Sequence, residues 1–328
     1  MTAGYEYNSI WLASDLRHFL LERPHLDLQV HSVFETSINL LADGELITLA
    51  ASRRELMPMG CIADIVEVEP WKLKVGDIVV YERGILRLPQ GDSINLHNAE
   101  VKSVTLAETL VSDSHIDRAS LNLIRNKLLG NDGGGISDLA ALLPETDLID
   151  RPLNVYGSYI KEDLFAFLDS AGKKDYGTAV DLAGRIIGFG PGLTPSCDDF
   201  LTGIILLLYY KDADNCKDAN RDFFQKIVTI ARKRTTVVSY HMLKNAVAGK
   251  AYESYLAVVN ALSIWNQDSL TVLLDRVLRY GASSGSDFLF GIYCAGLLLY
   301  ERENMSVVDS QDKKAKISEI RQRRRLND

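Results

Sequence analysis

The spacing of apolar residues changes once along this chain of 328 residues, close to Leu106. Before that point they form short runs rich in Val, Ile, Leu and Thr, separated by turn signals such as Asp43-Gly44 and Arg83-Gly84. Runs of this kind, bounded by turns, predict strands. After that point the apolar positions recur at helical spacing. The sequence therefore predicts an α+β protein, with a small antiparallel β-sheet or barrel domain at the N-terminus followed by a mainly α-helical domain.

This change of spacing divides the chain into a β-rich domain at 1–110, an α-helical domain at 111–302 and a charged flexible tail at 303–328. A length of about two ordinary domains fits that division. The expected strands lie at 28–33, 46–50, 62–68, 78–81, 85–88 and 101–106. A short amphipathic helix is expected before them, at 10–21. The helices expected after them lie at 119–129, 136–143, 161–168, 179–187, 200–210, 221–234, 238–247, 255–265, 270–279 and 288–300.

Composition and charge exclude several classes of protein. A hydrophobic fraction of 47% and a charged fraction of 24% are those of an ordinary folded domain. The net charge of −8 repels nucleic acid and anionic membranes, so neither is expected as a partner. The two most apolar runs, 200–210 and 288–300, are shorter than the roughly 20 residues that span a bilayer. Scattered cysteines and an N-terminus without a signal-peptide pattern favour a cytoplasmic location.

The most informative stretch runs from Gly188 to Gly203. Thr194 followed by Pro195 indicates a helix start, because the hydroxyl can cap a free N–H and proline tolerates the first helical position. Glycines at 188, 190 and 192 permit positive φ or a close backbone approach. A glycine loop before a helix N-terminus suits a phosphate or carboxylate. Asp198 and Asp199 oppose such an anion unless a cation or a substrate amide stands between; alternatively, they only stabilise the helix and the glycines only form a turn.

An internal repeat supports a site at this place. The pattern Ser-x-x-Asp-Phe-Leu-x-Gly-Ile occurs at 196–204 and again at 284–292, an offset of 88. Glycines at 203 and 291 would let the two helices approach closely. Paired helices would bring their polar N-termini to one pocket. Chance or shared ancestry would also explain the repeat. The candidate pocket residues are Thr194, Ser196, Asp198, Asp199, Ser283, Ser284 and Asp287.

Two further segments leave alternatives open. At 232–236, three basic residues either complement a helix C-terminus before a threonine cap, or Arg234 holds a phosphate or carboxylate beside the hydroxyls of Thr235 and Thr236. The glycines at 130–135 form either an inert loop, which the sequence favours, or a mobile lid. His241 is placed outside the chemistry. The chain has no Walker-type, zinc-protease or hydrolase-elbow motif.

The segment Gly-Pro-Gly-Leu-Thr-Pro-Ser-x-Asp-Asp-Phe-Leu-x-Gly from Gly190, with the later Gly-x-Ser-Ser-Gly-x-Asp-x-Leu-x-Gly from Gly281, resembles the AllH family. The resemblance implies a subunit of oxamate carbamoyltransferase in allantoin (purine) catabolism. It implies FdrA-like and AllG-like partner subunits, and transfer of a carbamoyl group between oxalurate and phosphate. The family usually has glycine in place of Cys197 and often histidine in place of Ala282. These departures would narrow the anion pocket and remove a polar group from it. The matching motif positions are Gly190, Gly192, Thr194, Ser196, Asp198, Asp199, Ser284 and Asp287.

In the combined hypothesis, the aspartates are catalytic and the glycine loop binds the anion. Loop N–H groups and Arg234 hold phosphate or carboxylate, while Asp198 or Asp287 accepts from the substrate amide or holds Mg²⁺, for which Asp198 and Asp199 are candidate ligands. The expected small molecules are oxalurate, oxamate, carbamoyl phosphate and phosphate. A non-catalytic structural or regulatory subunit, or a small-anion binding protein, is the alternative. Catalysis is assigned to Asp198, Asp199 and Asp287, and anion binding to Gly190, Gly192, Thr194, Ser196, Ser283, Ser284, Arg234, Thr235 and Thr236.

Overall fold

The computed structural model describes residues 4–106, 116–131, 133–143, 152–211, 217–262 and 267–301. A closed β-barrel lies at 6–102 and a helical region follows it. The predicted α+β fold class is confirmed. The predicted tail at 303–328, Cys216 and Asp132 lie outside the described residues.

The barrel closes through its first strand. The sheet order is β5-β4-β3-β2-β6-β7-β8-β1-β9, and β1 also pairs with β5. Strands β8 and β9 pair one after the other with β1, at Glu6–Asn8 and at Trp11–Ala13, so the ring has eight positions around it. The strands are β1 (Glu6–Ala13), β2 (His25–Val33), β3 (Ser37–Ala42), β4 (Glu45–Ala51), β5 (Gly60–Ala63), β6 (Ile78–Glu82), β7 (Ile85–Arg87), β8 (Ser93–Asn95) and β9 (Glu100–Lys102).

The barrel is mixed rather than purely antiparallel. Strands β4 and β5 run parallel, and β1 runs parallel to both β8 and β9. Each predicted strand overlaps an observed one, while β1, β3 and β8 were not predicted. The predicted helix at 10–21 is wrong over its first residues, because 10–13 belong to β1 and α1 begins at Ser14 and ends at Leu21. Strand β1 bonds to neighbours on both edges, and this pairing outweighs the local helical spacing.

Two hairpin turns follow the sequence prediction. Asp43-Gly44 joins β3 to β4, and Arg83-Gly84 joins β6 to β7, each as a two-residue turn. The φ angles are 49° and 78° in the first turn, and 45° and 91° in the second. Positive φ at both central residues matches the right-handed twist of the flanking strands, which is why such dipeptides form hairpins.

The predicted helical region is also confirmed, with one change of type. The segment predicted as a helix at 136–143 is a 3₁₀ helix at Ser137–Leu142. The predicted helix at 255–265 ends at Ala261. The helices are α2 (Arg118–Leu129), α3 (Val155–Gly172), α4 (Tyr176–Ile186), α5 (Ser196–Lys211), α6 (Lys217–Arg234), α7 (Val237–Val247), α8 (Glu253–Ala261), α9 (Gln267–Leu278) and α10 (284–301).

Helices α5 and α10 form the centre of the helical region, and they cross at their repeated glycines. A Cβ atom on Gly203 would clash with the Phe288 carbonyl and lie 2.9 Å from the Ile292 nitrogen. A Cβ atom on Gly291 would meet the equivalent atoms of the other helix, the Phe200 carbonyl and the Ile204 nitrogen. The predicted close approach is therefore confirmed, and it is reciprocal.

The barrel packs against the helices through polar and apolar contacts. Lys250 pairs with Asp15 at 2.7 Å, and Arg276 pairs with Glu55 at 2.7 Å. One hydrophobic cluster contains residues of both the barrel and the helices. Within the described ranges, no helix is long and apolar enough to cross a membrane.

Candidate functional site

The loop before α5 requires its glycines. Gly188, Gly190 and Gly192 have φ of 80°, 122° and 87°. A Cβ atom on Gly190 would also lie 2.8 Å from Cβ of Ser196, so a larger residue has no space there. Across the described part of the chain, the N–H groups of Gly190, Gly192 and Ser196 find no hydrogen-bond acceptor. The loop thus presents donors in front of a helix N-terminus, where negative charge is favoured.

The two helix N-termini meet at a pair of hydroxyls. Thr194 Oγ1 lies 2.8 Å from Ser284 Oγ, and both side chains are half-buried. Thr194 therefore bonds to the start of the partner helix rather than capping its own, and α5 begins at Ser196. Ser283, also half-buried, lies beside this pair and accepts a 2.8 Å hydrogen bond from Ser286 through its carbonyl. The structure thus brings the opening residues of both repeats together.

Asp198 is buried, and its carboxylate is fully occupied. It accepts hydrogen bonds from Gly188 N at 2.8 Å, from Ser239 Oγ at 2.7 Å and from the Thr235 hydroxyl. Burial raises its pKa, and these three donors oppose that rise. Asp198 therefore fastens the glycine loop to the start of α7.

Thr236 and Arg234 continue this junction. Thr236 caps α7 by accepting from Ser239 N at 3.1 Å, as one of the two interpretations predicted, and its hydroxyl donates to the Leu193 carbonyl. The carbonyl of Arg234 packs against Gly188, while its side chain is exposed and forms no ion pair with any residue that the structure describes. The backbone of Arg234 therefore lies beside the loop, and its guanidinium is available to bind a ligand.

Asp199 and Asp287 differ from Asp198, because each is buried with at least one oxygen that forms no close hydrogen bond within the described ranges. These oxygens are both of Asp199 and Oδ2 of Asp287. Burial outweighs the hydroxyls of Ser284 and Thr194 that act on Asp199, and those of Ser196 and Ser283 that act on Asp287. Burial raises the pKa of Asp199 well above its ordinary value, and the charge of Asp287 raises it further. Burial also raises the pKa of Asp287, to about 6. These two carboxylates hold most of the unsatisfied hydrogen-bonding capacity of the site.

The glycine loop at 130–135 covers Asp287. Oδ1 of Asp287 accepts from Ile136 N at 2.7 Å and from Ser137 N at 3.1 Å. A Cβ atom on Gly135 would clash with the same carboxylate, and one on Gly133 would lie 2.8 Å from Ser286 Oγ. The described part of this loop is thus held against the start of α10, and its glycines allow that contact.

The two positions that depart from the family pattern lie in different surroundings. Cys197 is a free, fully buried thiol, and burial raises its pKa well above the ordinary value. Ala282 is exposed beside Ser283. Cys197 therefore contributes to the interior packing under the loop, whereas a polar side chain at 282 would face solvent.

A cleft between the barrel and the helices leads to Thr194. Its enclosed volume is about 30 Å³, and the rest of the cleft is open to solvent. Sequence reasoning named Thr194 and set His241 aside, and it missed the other wall residues because they are single residues far apart in the chain. Burial lowers the pKa of His241 to about 4, so this ring is neutral near pH 7. The cleft is lined by Leu46, Thr48, Met57, Pro58, Met59, Thr194, Val238, His241, Met242, Asn245, Lys250, Ala251, Tyr252 and Tyr255.

Fold and site together define a class: an α+β protein in which two related helices begin at one polar site, under a cleft closed by a small barrel. Residues 186–296 match the family described as oxamate carbamoyltransferase subunit AllH, and residues 8–101 match the AllH family N-terminal domain. More than half of the chain is matched, so the chain belongs to the AllH family. Membership of a subunit family implies other protein subunits as partners. No solved structure matches the chain.

Proposed function

We propose that this chain forms the carbamoyl-transfer site of an oxamate carbamoyltransferase that acts on oxalurate and phosphate. A phosphate oxygen attacks the carbamoyl carbon of oxalurate, and the bond from that carbon to the oxamate nitrogen breaks. The nitrogen takes up a proton, which gives oxamate and carbamoyl phosphate. The observation that carries this proposal is that the family match at 186–296 contains both helix N-termini and all three buried aspartates of the site.

The anion in this proposal binds over the glycine loop. The free N–H groups of Gly190, Gly192 and Ser196 and the positive ends of two helices favour a phosphate or carboxylate. Arg234 starts beside Gly188 and has the reach and the free donors to pair with such a group bidentately. Preformed donors of this kind also stabilise charge that develops on the carbamoyl oxygen and on the leaving group.

The hydroxyls and carboxylates have separate roles in the proposal. Thr194, Ser283 and Ser284 are half-buried at the junction, so their hydroxyls can exchange their present bonds for bonds to a ligand. Asp198 has no free oxygen, and we assign it to positioning the loop. Asp199 and Asp287 have free oxygens, and we assign the direct chemical role to them.

The test is reconstitution with FdrA-like and AllG-like subunits, with carbamoyl phosphate formation from oxalurate and phosphate as the readout. We expect no turnover without this chain. Arg234→Gln should weaken the apparent affinity for the anion about tenfold or more, since a charge-assisted hydrogen bond contributes roughly 1.5–3 kcal/mol. Arg232→Gln, an exposed neighbour, is the matched control and should behave as the unmodified chain.

Two outcomes would contradict the proposal. Full activity of the two partner subunits alone would make this chain a regulatory or structural subunit. Turnover that needs the chain but is unaffected by Arg234→Gln and by Ser284→Ala together would place the chemistry on another subunit.

A further inference from the structure

Four buried oxygen atoms lie unsatisfied where α5 and α10 begin. They are both carboxylate oxygens of Asp199, Oδ2 of Asp287 and Oγ of Ser196. All three residues are at most 1% exposed. Buried polar atoms without partners are rare in folded proteins, and buried unpaired carboxylates are strongly unfavourable. Either a proton on the carboxylates or a bound cation would remove this cost.

The internal repeat places each aspartate beside a hydroxyl of the other repeat. The hydroxyls of Ser284 and Thr194 are hydrogen-bonding neighbours of Asp199 and oppose the rise in its pKa that burial causes. The hydroxyls of Ser196 and Ser283 do the same for Asp287. Each aspartate thus faces the opening serine of the other helix, just as each repeated glycine contacts the other helix. The approximate two-fold relation thus pairs each carboxylate with a serine hydroxyl of the other helix, and the charge of Asp287 acts on Asp199. We call these two carboxylates and two hydroxyls the acidic centre.

In the part of the chain that the structure describes, no positive side chain pairs with either carboxylate. Asp199 and Asp287 form no ion pair within the described ranges, and the charges acting on Asp199 are those of other aspartates. Gly135 closes the centre next to Asp287, and the ring of Tyr255, stacked on Phe288 at 3.7 Å, lies on the Asp199 side. The two carboxylates therefore have backbone of the glycine loop on one side and an aromatic ring nearby.

We propose that Asp199, Asp287 and Ser196 bind one hard divalent cation of the Mg²⁺ or Mn²⁺ class, with the Ser284 hydroxyl at its edge. Carboxylate and hydroxyl oxygens are the ligands that these ions take, whereas a softer metal would call for histidine or cysteine. A neutral substrate amide would satisfy one or two of the oxygens but would leave the two buried charges uncompensated. A divalent cation satisfies both the oxygen lone pairs and the negative charge of the ionised carboxylates.

The cation also removes a conflict in the proposed function. Its role in turnover rests on that function. Asp198, Asp199 and Asp287 all lie beneath a loop that is proposed to hold an anion. A divalent ion between the carboxylates and the loop would convert that repulsion into attraction for a phosphate oxygen. Binding of the ion itself does not depend on the reaction.

The experiment measures metal binding on the purified, chelator-treated full chain by titration with Mn²⁺, using electron paramagnetic resonance of the free ion. We expect one Mn²⁺ per chain and a higher melting temperature with Mn²⁺ or Mg²⁺. Asp199→Asn and Asp287→Asn should each weaken Mn²⁺ binding at least tenfold. Asp181→Asn, on the exposed face of α4, should leave it unchanged. Absence of saturable binding at millimolar Mn²⁺, or equal binding by the two site variants, would overturn the proposal.

A second measurement separates lost binding from misfolding. Without metal, each Asn substitution replaces a buried carboxyl group by a neutral side chain of similar size, so its melting temperature should equal or exceed that of the unmodified chain. Ser196→Ala carries no charge change and should weaken Mn²⁺ binding severalfold while retaining the far-ultraviolet circular dichroism spectrum. Turnover that needs Arg234 but no metal, in a chain that binds no Mn²⁺, would reject the cation site and leave the proposed function standing.

Discussion

At the scale of single residues, three aspartates that look equivalent in sequence have different surroundings. Asp198 is saturated by donors from the glycine loop and from α7, whereas Asp199 and Asp287 have unmatched oxygens. The sequence indicated that all three belong to one polar region. It could not separate them, because the donors that occupy Asp198 come from Gly188 and from residues around Thr235, which are distant in the chain.

Removing the Asp198 carboxylate should destabilise the fold. Asp198→Ala leaves the buried Ser239 hydroxyl and the half-buried Gly188 N–H and Thr235 hydroxyl without their acceptor, and we expect a loss of about 3 kcal/mol in the free energy of unfolding. Chemical denaturation measures this, with exposed Asp181→Ala as control. A loss no greater than that of the control would show that the loop is fastened in another way.

Asp287 should make stability depend on pH. Its pKa is raised from 3.8 to about 6 in the folded chain, mainly by burial. The folded state therefore holds the proton more tightly than the unfolded state, and the resulting stabilisation is complete below about pH 4 and lost as the pH rises through about 6. In chelator, the unfolding free energy of the unmodified chain should fall by ~3 kcal/mol relative to Asp287→Asn between about pH 4 and pH 7. A difference that stays constant with pH would contradict this.

At the scale of elements, periodicity located most helices and several strands. It failed where pairing between distant strands determines the secondary structure of a segment. Strand β1 takes residues 10–13 from a predicted helix because both of its edges are bonded to other strands. The short strand β8 has three residues and too little pattern to predict. The repeat was more informative than periodicity, since its glycines at 203 and 291 predicted the close approach of α5 and α10.

That crossing should be intolerant of even one methyl group. Gly203→Ala would place Cβ against the backbone of α10, where neither partner can move aside, so we expect a loss of about 3 kcal/mol in the free energy of unfolding. Gly184→Ala is the matched helical control: its nearest neighbour atoms, on Ile230, lie 3.8 Å away. The control should stabilise the chain by roughly 0.5–1 kcal/mol, because alanine favours a helix over glycine. Equal effects of the two substitutions in thermal denaturation would argue against close packing at the crossing.

At the scale of the whole molecule, the barrel and the helices together form a cleft that neither half of the sequence indicated alone. The cleft takes Thr48 and Met57 from the barrel, and Met242 and Asn245 from α7, and it ends at Thr194. Its walls come from segments about 200 residues apart, so no local pattern could predict it. Thr194 lines the cleft and bonds to Ser284, so this hydroxyl pair connects the cleft to the helix N-termini.

Filling the cleft should block small ligands without disturbing the core. Met242 is half-buried on the cleft wall, and Met242→Trp would occupy the space in front of Thr194. A ligand that binds only the folded chain stabilises it by about 2.7 kcal/mol at 100 times its Kd. We therefore expect oxamate or carbamoyl phosphate to raise the melting temperature of the unmodified chain and of Val272→Trp, a control on the exposed face of α9. Met242→Trp should lose this ligand-dependent rise while it retains its own folding transition. If the rise persists in Met242→Trp, ligands reach the helix N-termini from the Arg234 side instead, and the barrel serves the assembly of subunits rather than the site.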